Sequence, residues 1–283
     1  MKHFFTPRAG QLLYHYTTIE SAEAITRSNT LRLSEFSMMN DKSEYIYAKS
    51  KFIETYQNRE VRIEEVPRWM ANIKLNTHEP ATVMMIGCLT EDRDDVGLWE
   101  RYADCGKGCV LGFDATWLAE RASVAIRRVS YDPEYLREFV NAGLAMLQSH
   151  YEENRDNHGE LAQLAAMFVT DLYSFKDPRF HSEMEVRVSR LTVTEERALY
   201  GLRDHGGHRG DGAEVPALPI QRRQGRYGPT RYIDLPLWDD ETQSAIRSVG
   251  FGPSADPDKE AFVRRAASGN TGIKFWKSSA PLR

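Results

Sequence analysis

The chain has 283 residues, with 37 Lys and Arg against 41 Asp and Glu, a net charge of −4. Its 41% hydrophobic and 28% charged residues exclude a mainly disordered chain, a collagen, a disulfide-dense secreted scaffold and a long coiled coil. A pI of about 6.1 argues against a protein that coats DNA, which needs a strong positive field.

Leu12-Leu13-Tyr14-His15-Tyr16-Thr17 is a short apolar and aromatic run that predicts a strand. A helix follows directly. Thr17 and Glu20 have capping-box spacing, Ile19, Ala22 and Ile25 keep an apolar face, and Asn29 suits a left-handed close. Leu31–Ser34 reads as a second strand, and Met38-Met39-Asn40-Asp41 as a loop into a helix over Ser43–Tyr56. Residues 57–80 are mixed and partly helical. Ala81–Thr90 predicts a buried strand, Val96–Ala103 a short helix, and Cys109–Asp114 and Val124–Tyr131 two further strands. Helical spacing covers Glu134–Tyr151 and Glu160–Tyr173. Glu183–Val188 alternates strictly and predicts a strand. Residues 203–213, rich in Gly, His and Asp, read as a loop. Ile220–Leu237 predicts a hairpin about Gly225–Pro229. A strand (Ile246–Phe251), a helix (Asp258–Ala267) and a last strand (Gly272–Trp276) complete the chain. Irregular alternation of strands and helices predicts an α+β architecture, and no flexible linker divides it, so residues 1–283 read as a single domain.

No apolar run approaches the roughly 18 residues needed to cross a bilayer. The first eight residues lack the apolar core of a signal peptide, and three cysteines fit a reducing compartment, so a cytoplasmic protein without a membrane partner is expected. Gly106-Lys107 lacks the partners of a phosphate-binding loop, and Gly106–Gly112 is one residue too long for a dinucleotide fingerprint. No serine sits in a G-x-S-x-G elbow. Cys105 and Cys109 lack a matching second pair, and His205 and His208 lie far from His181, so no metal is expected.

Three segments carry chemistry. His15, where a strand opens into a helix, can hydrogen-bond a ribose or an amide, or pair with a carbonyl in the core. Asn40 and Asp41 can cap the next helix or line a pocket above strand ends. In Glu183-Met184-Glu185-Val186-Arg187, period two puts Glu183, Glu185 and Arg187 on one face and Met184, Val186 and Val188 on the other. That polar face is a solvated stripe or a site.

Taken jointly, the segments resemble the bacterial proteins grouped as domain of unknown function 2971. The shared elements are Leu13–Thr17, Leu31–Ser34 with Met39-Asn40-Asp41, Cys88–Glu91, Leu98–Ala103, Gly106–Gly108, Gly112–Asp114, Lys176 with Glu183–Arg187, and Ile246–Pro253. The strand-His-x-Thr-helix opening is also similar to that of the ADP-ribosyltransferase fold, with split mixed and antiparallel sheets and surrounding helices. That resemblance implies NAD as substrate. It implies His15 on the adenosine-side ribose, Thr90 near the nicotinamide, and Glu185 on the nicotinamide ribose with Glu183 as a first carboxylate. Around them it implies Tyr16, Thr17, Ser34, Asn40, Asp41, Trp99, Tyr102 and Arg187 as NAD contacts. Two positions depart from the pattern: Tyr16 stands where one branch has glycine, and Thr90 where a tyrosine is common. The implied activity is transfer of ADP-ribose to a macromolecular acceptor, protein or nucleic acid, or hydrolysis of NAD. By fold-level analogy, the role is toxin-like or in phage defence. Two other readings stand beside it. Arg222, Arg223, Arg226 and Arg231 with Tyr227 and Tyr232 form a basic-aromatic mix suited to single strands, as in a nucleic-acid-binding or nuclease module. An inactive nucleotide-binding domain is the other.

Overall fold

The computed structural model describes residues 2–38, 42–57, 82–154, 157–225, 228–239, 244–270 and 272–282. Met39, Asn40, Asp41, Arg226, Tyr227 and the predicted mixed segment from residue 58 to 80 lie outside the described residues. The architecture is α+β, as expected.

The first elements are β1 (Leu12–Thr17), α1 (Ile19–Ser28) and β2 (Thr30–Glu35). Asn29 closes α1 in the left-handed region at φ 51°. The predicted cap is one residue early. Thr17 is still extended and paired with Cys109, so Thr18 caps the helix by accepting from the Ser21 amide. Next come α2 (Lys42–Gln57), β3 (Thr82–Thr90), α3 (Val96–Tyr102), β4 (Cys109–Asp114) and α4 (Ala115–Arg121). They are followed by β5 (Ala125–Arg128), α5 (Pro133–Glu153), α6 (His158–Leu172) and β6 (Glu185–Thr194). Short strands β7 (Leu202–Arg203) and β9 (Glu214–Val215) flank the segment expected to be loop, and β8 (Gly207–His208) lies within it. The chain ends with β10 (Gln221–Gly225), β11 (Gly228–Pro236), β12 (Ile246–Phe251), α7 (Pro257–Ala266) and β13 (Lys274–Lys277).

The sheet forks at β3. One edge of β3 pairs with β6 along its whole length, from Thr82 opposite Val193 to Thr90 opposite Glu185. The other edge is shared by two strands. It holds β2 at Ile86 and Met85, and β1 only at Thr90, opposite Tyr14. Between these attachments Gly87, Cys88 and Leu89 have no strand partner on that edge. From the fork, β1 continues into β4, β12 and β13, and β2 into β11 and β10. The β12–β13 pair is parallel and the other named pairs are antiparallel, so the sheet is mixed.

The apolar run of β3 reflects burial on both faces. Val83 and Met85 join a core with Leu33, Leu111 and Val188, closed by α1, α4 and α7. Met84 and Ile86 point the other way, into a core built with α2, α5 and α6. A third, smaller cluster packs Tyr16 against Trp99 and Val110. The loop before β4 comes so close to β1 that a Cβ on Gly108 would lie 2.3 Å from the Thr17 carbonyl oxygen.

Two strand predictions are corrected. The strand predicted over Val124–Tyr131 stops at Arg128, because Ser130 turns away to exchange backbone hydrogen bonds with Ser174 and Lys176. The strand predicted from Glu183 begins at Glu185. Residues Pro178–Glu183 form a 3-10 turn, and Met184 takes a left-handed φ of 41° and is 53% exposed rather than packed with Val186 and Val188.

Trp99 is fully buried, edge-on to Tyr16 at 4.9 Å and to Trp276 at 6.3 Å, with its indole N–H donated to Asp94 at 2.6 Å. It pins α3, β1 and β13 together. Trp99→Ala is expected to cost about 3–5 kcal/mol in urea denaturation. A loss under about 1 kcal/mol would show that the three elements do not share this anchor.

Candidate functional site

A cavity of about 550 Å³ opens at the fork, within the roughly 300–1,000 Å³ usual for small-molecule sites. Its walls are Tyr14–Thr17 of β1, one face of α1, Arg32 and Ser34 of β2, and the unpaired stretch of β3 as far as Thr90. Tyr102, Lys176, Phe180, Glu183 and Glu185 close one end, and Arg223 and Asp234 lie on its outer arm.

His15 sits where β1 leaves β3. Its Nδ1 lies 3.0 Å from the Cys88 carbonyl oxygen, on the unpaired stretch of β3. A carbonyl only accepts, so Nδ1 carries the proton and Nε2 is left as an acceptor. Packing around the ring removes water and lowers its pKa, against the Cys88 bond that raises it, so the imidazole is neutral at pH 7. Thr90, Tyr14 and Glu185 lie in one row across β6, β3 and β1. Two strand spacings of about 4.8 Å each put the β1 backbone roughly 10 Å from that of Glu185.

The acidic end is a network of two carboxylates and two cations, all buried. Glu183 is 6% exposed, Glu185 5%, Lys176 3% and Arg187 2%. The face read as a solvated stripe or a site is therefore interior. Lys176 donates to Glu183 Oε2 at 2.6 Å and to Glu185 Oε2 at 3.1 Å, with its ammonium 4.9 Å from the Phe180 ring centre. Arg187 donates through Nε to Glu185 Oε1 at 2.7 Å and through a second nitrogen to the Tyr173 carbonyl. Tyr102 donates to Glu183 Oε1 at 2.7 Å. Burial, and then the Glu183 bond, push the Tyr102 hydroxyl pKa up, so it remains a donor. Burial alone would raise the Glu185 carboxyl, but Arg187 and Lys176 outweigh it and hold it down at about 2.

Backbone bonds hold this network in place. The Lys176 amide donates to the Ser130 carbonyl at 3.0 Å, and the Glu185 amide to the Tyr131 hydroxyl at 3.1 Å. The Thr90 hydroxyl donates to the Met184 carbonyl at 3.3 Å and accepts from the Asp92 amide at 3.1 Å. Thr90 thereby clips the end of β3 to the turn that presents both carboxylates.

Residues 98–188 match the family model described as Protein of unknown function (DUF2971). The resemblance read from the sequence is borne out over that segment. The DUF2971 match contains Tyr102, Lys176, Glu183, Glu185 and Arg187, the whole charged end of the cleft, while His15 and Thr90 lie outside it. No curated protein and no solved structure matches the chain.

Of the residues singled out in the sequence, His15, Tyr16, Thr17, Ser34, Thr90, Tyr102, Glu183 and Glu185 line the one cavity. Trp99 and Arg187 stand behind its walls. Trp99 backs Tyr16, and Arg187 backs Glu185 while lying 5.0 Å from the Phe36 ring centre. Tyr16 offers ring rather than hydroxyl, because its oxygen accepts from the Asp95 amide at 2.9 Å and donates to the Asp92 carbonyl at 3.3 Å. In the basic-aromatic hairpin, Arg231 is bonded to Glu35 at 2.7 and 2.9 Å and Tyr232 lies under Arg32, so both are spent within the fold. Lys176 and Phe180 are the main residues missing from the sequence-predicted site. Their signal is a lone lysine after an apolar stretch, in Tyr-Ser-Phe-Lys-Asp-Pro, where a helix turns toward a strand.

The Glu185 carboxyl, held at about 2 against an ordinary 4.5, stabilises the fold above pH 4.5 and loses that contribution as pH falls toward 2. Glu185→Gln leaves buried cations short of a partner and is expected to cost about 3–5 kcal/mol at pH 7. In urea titrations the gap to wild type should narrow between pH 4.5 and 2. A gap constant with pH would mean that Glu185 is not held ionised in the folded state.

Proposed function

We propose that the cleft binds NAD and cleaves its nicotinamide–ribose bond, passing ADP-ribose to a macromolecular acceptor or to water. The observation that carries this reading is one cavity lined at the fork both by the neutral imidazole of His15 and by the carboxylates Glu183 and Glu185.

The chemistry follows from the two ends. His15 Nε2 accepts from a ribose hydroxyl, the interaction a protonated ring would refuse. As the glycosidic bond breaks, its electron pair leaves with nicotinamide, which becomes neutral, and positive charge develops on the sugar ring. Glu185 remains ionised and bonds the ribose hydroxyl, stabilising that charge without reorganising. The acceptor oxygen then forms its bond to the anomeric carbon and loses its proton. Glu183, with fewer charged partners than Glu185, takes that proton. Tyr14, Tyr102 and Phe180 supply ring faces along the cavity for a base.

Nicotinamide release from NAD, followed by chromatography, tests the reading, together with transfer of label from NAD into cell extract. Glu185→Gln is expected to slow release by about 10²–10³-fold. Glu183→Gln is expected to slow labelling of the acceptor by about 10²–10⁴-fold and hydrolysis less. No release and no labelled component would overturn transfer and hydrolysis alike, and NAD binding without turnover would identify an inactive nucleotide-binding domain.

A further inference from the structure

Arg223 is the one cleft-lining cation that sits on the outer arm with no hydrogen bond or ion pair among the described residues. It lies in β10, opposite Thr230, two residues from Gln221 opposite Tyr232. Alternation gives Gln221 and Arg223 one face and Arg222 the other. On the shared face the neighbouring groups are already committed to one another. Arg32 donates to Asp234 Oδ1 at 3.0 Å and lies 3.9 Å from the Tyr232 ring centre. Gln221 donates to Asp234 Oδ2 at 3.1 Å. Asp234 is thus engaged by Arg32 and Gln221, and among the described residues this rim carries two guanidiniums for one carboxylate.

The rim is also distant from the acidic end. β10 is the third strand out from β3, so its backbone lies about 14 Å away, yet the Arg223 side chain reaches the cavity that Glu185 lines. A single ligand filling the cavity would meet carboxylates at one end and, at the other, a guanidinium with no counter-ion among the described residues. A planar fork of donors matches phosphate oxygens.

We propose that Arg223 is a phosphate-binding residue at the rim of the cleft and holds the diphosphate of the dinucleotide whose ribose lies against Glu185. The dinucleotide rests on the reading above; the phosphate subsite rests on the rim alone.

Calorimetric titration of the full chain at low salt tests it, with inorganic pyrophosphate, ADP-ribose and nicotinamide riboside as probes. Wild type is expected to bind pyrophosphate and ADP-ribose, and Arg223→Ala to weaken both by about tenfold or more. Arg222→Ala should leave both unchanged, and nicotinamide riboside, which lacks phosphate, should be indifferent to Arg223. Thermal melts of the variants should match wild type, because Arg223 is exposed. Failure of wild type to bind either phosphate ligand overturns the subsite, as does equal affinity in Arg223→Ala or an equal loss in Arg222→Ala. A short RNA that needs Arg223 while ADP-ribose ignores it would overturn the dinucleotide assignment. Arg223-dependent binding without nicotinamide release keeps the subsite and removes the transferase reading. Release with unaltered ADP-ribose affinity in Arg223→Ala does the reverse.

Discussion

A β-strand has two edges, and β3 spends one of them entirely on β6. Whatever else joins β3 must share the other. Here β2 takes the stretch around Ile86, β1 takes Thr90, and three residues between them are left without a strand. Unpaired backbone in an interior is costly unless something satisfies it. His15 answers part of that demand by donating to the Cys88 carbonyl. The same divergence of β1 from β2 that leaves the edge open also opens the cavity, with α1 as its cover. The cleft is therefore a consequence of strand pairing, and His15 is at once a structural clip and a polar group lining the gap.

The charged end obeys a different constraint. Two carboxylates cannot be removed from water together without positive charge beside them. Lys176 and Arg187 supply that charge, one bridging both acids and the other bonded to Glu185. The network is neutral in sum, which makes it tolerable in the interior, and asymmetric in detail, which makes the two acids unequal. Glu183 shares its cation and leans on a neutral tyrosine; Glu185 has an arginine of its own. The segment that matches the DUF2971 model and the buried network coincide, since the match spans every member of it.

Much of this was legible in the residues. Period two in Val186 and Val188, continuous apolar residues in β3, and Asn29 after an amphipathic turn each report a local rule that the fold obeys. The exceptions are instructive. Thr17 and Glu20 have ideal capping spacing, yet the register of β1 against β4 keeps Thr17 extended, a tertiary fact that spacing cannot contain. Glu183 fits the alternation of the following strand, but Pro178 and the left-handed Met184 bring it to Glu185 by a turn instead. It reaches the predicted company by an unpredicted route. Lys176 is legible beside the strand but not as a site residue, because its partners are seven and nine residues away across that turn. Arg223 was visible as charge but not as a cleft residue, since only the order β10-β11-β2-β3 carries it there.

The inequality of the two acids bears on how such a cleft could work on a glycosidic bond. A carboxylate with a depressed pKa is a poor base but a dependable charge, whatever the ligand does. Stabilising a cation that appears only in the transition state needs that kind of group, because it need not lose or gain a proton as the bond breaks. Proton transfer needs the opposite: a group whose ionisation can change without dismantling the interior. Glu185, tied to Arg187 and Lys176, meets the first requirement. In the proposed reaction Glu183 is the acid that takes the proton, and Lys176 still has Glu185 beside it. The proposed division of labour rests on Lys176, which bridges both acids.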